Sequence, residues 1–140
     1  MDPIIDLIKM KTELMTKSSG NTIAENEVID VLGNELPKIN PWFERISDSG
    51  NIYKIMDCFA AFTKALVARE NMDEVKLCFQ VAEKLLNKGN KTVKNAIENG
   101  YLFSISKVLD VSAPINKKVK NLLKGQLLVE YKRQTCSNGI

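Results

Sequence analysis

Residues 52–69, I-Y-K-I-M-D-C-F-A-A-F-T-K-A-L-V-A-R, decide the fold class. Ile52, Ile55, Met56, Phe59, Phe62, Leu66 and Val67 recur three and four residues apart, the spacing that gathers side chains on one face of an α-helix. The stripe is broad enough to face more than one neighbouring helix. Downstream, Glu70–Asn71 reads as a tight turn, and Met72 to Asn87 repeats the pattern with Val75, Phe79, Ala82, Leu85 and Leu86 inward. Gly89 is placed to stop that helix. Asn90 opens a short helix through Glu98 that Gly100 ends, and Leu102, Ile105, Val108 and Leu109 form the next piece. Pro114 opens a last helix that carries Ile115, Val119, Leu122, Leu123, Leu127 and Tyr131, with fraying from Thr135 to Ile140.

Upstream, Ser47–Gly50 is a breaker cluster, and Asn40–Pro41 starts a short helix with Asn40 as N-cap and Pro41 at its first position. Ile29, Leu32 and Leu36 belong to a helix that Pro37 closes and that Thr22-Ile-Ala-Glu25 opens as a capping box. Pro3 to Lys17, with Ile4, Ile5 and Ile8, reads as the first helix. No alternating strand pattern is present, and the short links imply antiparallel neighbours. The expectation is one all-α domain over residues 1–140, with about seven to eight antiparallel helices stacked in the manner of HEAT or armadillo pairs. A chain of 140 residues buries roughly two thirds of its unfolded surface, enough for a core without staples.

Histidine is absent from the sequence. Ser-His-Asp and Cys-His catalysis and His-containing zinc or iron sites are therefore excluded. The sequence has neither a phosphate-binding GxxxxGK[ST] loop nor GxGxxG, and no cofactor or metal is expected. Cys58, Cys78 and Cys136 are odd in number and widely spaced, which suits reduced thiols rather than a disulfide framework. Asp2 and Asp6 stand where a secretory leader would be basic, and the longest apolar run, Cys58–Phe62, is far too short to span a membrane. These features lead to the expectation of a soluble, cytoplasmic protein that binds rather than turns over.

Charge is polarised along the chain. Residues 21–50 hold two cations and six anions, while residues 111–140 hold six cations and one anion. Such asymmetry steers association with an oppositely charged partner. Trp42 and Phe43 sit on a helix so short that it needs large anchors, and Trp is enriched at binding hot spots.

From Phe79 to Leu102, the sequence places Glu83, Leu85–Leu86, Asn90 and then Val93-x-Asn95-Ala96-x-x-x-Gly100-x-Leu102, with Leu36–Pro37 upstream. This grammar resembles a family of small all-helical bacterial proteins encoded beside toxin–immunity systems, over residues 28–110. The chain departs from that family after Gly100, where Tyr101-Leu102-Phe103-Ser104 replaces the usual Leu-Glu. The resemblance implies an immunity protein, possibly of the contact-dependent growth inhibition kind, that neutralises a cognate toxin domain.

The leading expectation is therefore a non-enzymatic binding protein that occludes the active site of a toxin, a nuclease domain by preference. Its binding face would be the acidic segment Glu25, Glu27, Asp30, Glu35, Glu44 and Asp48, with Trp42 as apolar anchor. Placed the other way round, the lysine stripe Lys117, Lys118, Lys120 and Lys124 would cover an acidic, metal-binding nuclease centre. The alternative is a helical adaptor that binds nucleic acid through those same lysines. Nucleic acid is the less favoured partner, because no aromatic interleaves the stripe.

Overall fold

A computed structural model describes residues 22–46 and 51–138, and within them every regular element is helical. In chain order these are α1 (Glu25–Glu35), a 3₁₀ turn (Pro37–Ile39), α2 (Asn40–Phe43), α3 (Ile52–Ala68), α4 (Met72–Lys88), α5 (Lys91–Ala96), a π-helical segment (Ile97–Leu102), α6 (Phe103–Leu109), α7 (Pro114–Lys120) and α8 (Gly125–Asn138). The helix expected over Pro3–Lys17 and the break at Ser47–Gly50 lie outside the described residues. None of the described helices is long and apolar enough to cross a membrane.

Three asparagines start three helices. The Asn51 side chain accepts from the Tyr53 and Lys54 amides at 2.9 and 3.3 Å, Asn71 from Glu74 at 3.4 Å, and Asn90 from Val93 at 2.9 Å. Each satisfies donors that the first turn cannot pair internally. The stripe of α3 is buried as its spacing predicts, from Ile52 through Val67. It packs against α4, joined to it by Arg69–Asn71, and against the π segment. Phe59 and Tyr101 stack at 4.1 Å with planes 16° apart in the middle of this core.

Four local expectations are corrected. Thr22 does not cap α1. Ile23 donates to the Lys88 carbonyl at 2.7 Å and accepts from Asn90 at 2.8 Å, a bridge that keeps residues 22–23 extended beside Gly89. The helix begins at Glu25 instead, and the Glu27 carboxylate accepts from the Ala24 amide at 2.8 Å. Asn40 is not an N-cap either. Its amide donates back to the Pro37 and Gly33 carbonyls at 3.1 and 3.3 Å, which closes the end of α1.

The other two corrections concern helix continuity. Gly100 does not end a helix, because the chain runs from α5 into α6 through the π segment. A Cβ at Gly100 would come within 3.2 Å of the Met56 Cβ, so glycine lets α3 lie close against this turn. The last helix is two helices. Gly125 takes φ +57°, a left-handed conformation, and residues 121–124 turn between α7 and α8. The helix α8 then runs to Asn138, past the Thr135 at which fraying is expected.

Candidate partner-binding surfaces

The short α2 is pinned by Pro41 at one end and by buried Phe43 at the other. Trp42 lies between them, half-buried, with its ring edge-on to Phe62 of α3 at 5.6 Å and 83°. The Arg45 guanidinium stands 6.0 Å from the indole centroid, within reach of a cation–π attraction. Across from them α3 presents Lys54, Asp57, Cys58 and Ala61. These positions are related by steps of three and four and share the helix face turned away from the core. Together with Ile46 they enclose an open groove of about 410 Å³. Burial raises the Cys58 thiol in this lining above its usual value, partly offset by the Arg45 charge.

The acidic segment does not gather around this groove. Glu27 is spent on capping α1, Glu35 pairs with Lys84 of α4 at 2.6 Å, and Glu25 accepts from the Asn90 amide at 3.5 Å. Asp30 and Glu44 remain exposed, and Asp48 lies outside the described residues. Asp57, Lys54 and Cys58, which no charge run in the sequence singles out, are the residues that the fold sets opposite Trp42. Their only signal is the spacing 54, 57, 58, 61 on the polar side of the α3 stripe.

The lysine stripe is gathered more completely. Lys117, Lys118 and Asn121 line one concavity of about 460 Å³ with Ser112, Ala113 and Pro114. Lys120, Asn121, Lys124 and Lys132 line a second of about 430 Å³, whose walls include Leu123, Leu128 and Tyr131. Asn121 belongs to both, so the two concavities adjoin. All five lysines are exposed, and the ion pairs formed among the described residues, Lys38–Glu74, Lys84–Glu35 and Arg133–Glu130, use none of them.

One further cluster has perturbed acids. The Arg133 guanidinium binds the buried Glu130 carboxylate and holds it below its usual range, while burial raises nearby Glu98. Gln134 bridges them, donating to the Glu98 carbonyl at 2.8 Å and to Glu130 at 3.3 Å. Both partners of Glu130 are side chains of its own helix, so the cluster braces α8 against the π segment.

The profile of a family described as a domain of unknown function, DUF7674, matches residues 29–137. No curated protein and no solved structure matches the chain.

Proposed function

Since the chain belongs to the DUF7674 family, for which no function is described, its role has to be read from its own surface, and we propose that it is a non-enzymatic binding protein of the immunity type. On this reading it acts in the cytoplasm and occludes the active site of a cognate toxin domain, preferably a nuclease. The observation that carries the proposal is Trp42. A large aromatic, half-buried and propped edge-on by Phe62 in an open groove, can take an apolar side chain from a partner without first being ordered. Anchors of this kind dominate binding energy at protein interfaces.

The groove adds directionality. Arg45 and Lys54 offer cations and Asp57 an anion around an apolar centre, which resembles the charged rim and desolvated core of a specific interface. Asp30 and Glu44 are exposed and do not line the groove, so their negative charge would act only at long range, in steering a cationic nuclease.

Calorimetric titration of the full chain with purified candidate toxin nuclease domains tests the proposal. Trp42→Ala should weaken association by about 2 kcal/mol or more, roughly thirtyfold. Reversal of Asp30 and Glu44 to Lys should mainly slow the on-rate, read by stopped-flow mixing at low salt. Unchanged affinity in Trp42→Ala, with the helical spectrum of the parent retained, would place the partner elsewhere.

A further inference from the structure

We propose that the edge formed by α7, the 121–124 turn and α8 docks single-stranded nucleic acid through its phosphate backbone. This surface lies on elements other than α2 and α3, and it stands or falls independently of the Trp42 groove.

Residues 111–140 carry six cations and one anion, and the fold pairs Arg133 with Glu130. Lys117, Lys118, Lys120, Lys124 and Lys132 are all exposed along this edge, where the fold adds two carboxylates, Glu83 at the start of α8 and Asp110 beside Tyr131, so cations still outnumber anions there by five to two. The remainder of the chain sums to −2, from 14 cations and 16 anions, so the potential is local rather than global.

Two concavities adjoin at Asn121, so the lysines are spread along α7, the 121–124 turn and α8 and do not converge on one pocket, a distribution that suits an extended polymer better than a single inserted side chain. Lysine ammonium groups are point charges that accept any phosphate geometry, whereas planar recognition of a carboxylate or of guanine favours the arginine fork. This edge has lysines and an asparagine amide but no arginine among its lining residues. It is built to hold a backbone without reading a sequence. No aromatic is exposed along it: Tyr131 of α8 reaches the wall of the second concavity, but its ring is buried in the core and its hydroxyl donates to Asp110 at 3.5 Å, so binding rests on the phosphates and not on base stacking.

The test is fluorescence anisotropy of the full chain with labelled oligo-dT and oligo-rU between 50 and 200 mM salt. Five lysines, each releasing a counterion from a single strand, give a slope of log K against log salt of about −3.5, a loss of about a hundredfold across that range. Exchanging Lys117, Lys120 and Lys124 together for Gln should reduce the slope to about −1.4, and Lys→Arg at the same positions should restore binding. The Trp42→Ala variant should bind as the parent does. The proposal is overturned by no binding at 50 mM salt, by a slope that the triple Gln variant leaves intact, or by equal competition from poly-glutamate. The last result would assign the edge to an acidic protein surface.

Discussion

Cys78, Thr63 and Tyr101 place three polar side chains in the middle of the core, and their chemistry is set by burial. Thr63 donates its one proton to the Phe59 carbonyl at 3.0 Å, so the Tyr101 hydroxyl, also 3.0 Å away, must donate to Thr63. Burial pushes the Cys78 thiol up to about 12, against a smaller opposing effect from Thr63, and pushes Tyr101 well above its usual value. Both groups lose a proton far more readily when unfolded, so the folded state holds more protons above pH 9 and stability falls as pH rises. The contribution of Cys78 is complete below pH 9 and is lost up to about pH 12, at a cost of up to about 4 kcal/mol. Chemical denaturation between pH 8 and 11 should show the midpoint falling, and Cys78→Ala should flatten that fall. At pH 8 an alkylating reagent should leave Cys78 unmodified in the folded chain and label it in urea, as peptide mapping will show. Cys58 and Cys78 both stand at the edge of an apolar stripe in the sequence, which suits buried thiols; the fold buries Cys78 fully and leaves Cys58 half-buried. The half-burial of Trp42 is not legible in the sequence, since it depends on Phe62 arriving from another helix.

The division between α7 and α8 shows why elements are harder to read than stripes. Lys117 to Tyr131 satisfies one helical period, and Gly125 is the one local sign of a break within it. The break is held by Glu83 of α4, whose carboxylate accepts from the Gln126 and Leu127 amides at 3.0 and 2.7 Å. A carboxylate at a helix start pairs orphan donors and meets the positive end of the helix dipole. Rules based on neighbouring residues cannot find a cap that arrives from a different helix. Glu83→Ala should therefore cost about 1–2 kcal/mol and Glu83→Gln less, with faster hydrogen exchange at Leu127 as the marker. Gly125→Ala should cost a comparable amount, because the left-handed φ disfavours a side chain and its Cβ would overlap the Glu83 carboxylate. The two sites touch, so urea denaturation should show the double variant losing less than the sum of the single ones. The π segment is similar: Gly100 has the signature of a stop, and only its approach to Met56 shows why the helix continues.

Across the whole molecule, the all-helical class follows directly from the period of the apolar residues, and the described part of the chain is built that way throughout. Surfaces were less legible than the core. Charges that lie close in sequence are distributed by the fold to separate tasks: Glu27 to a cap, Glu35 to Lys84, Glu25 to Asn90. The lysine edge kept its composition because its residues, Lys132 included, lie on the polar side of consecutive turns. A body of this kind, offering a propped tryptophan in a groove, is proposed to work by covering a partner, and covering is stoichiometric. The most direct measurement is the residual activity of the toxin domain at a concentration far above the dissociation constant, titrated with increasing amounts of this chain. Occlusion predicts a linear fall to zero at one chain per toxin, whereas complete inactivation by a small fraction of an equivalent would mean that the chain turns over and would contradict the account.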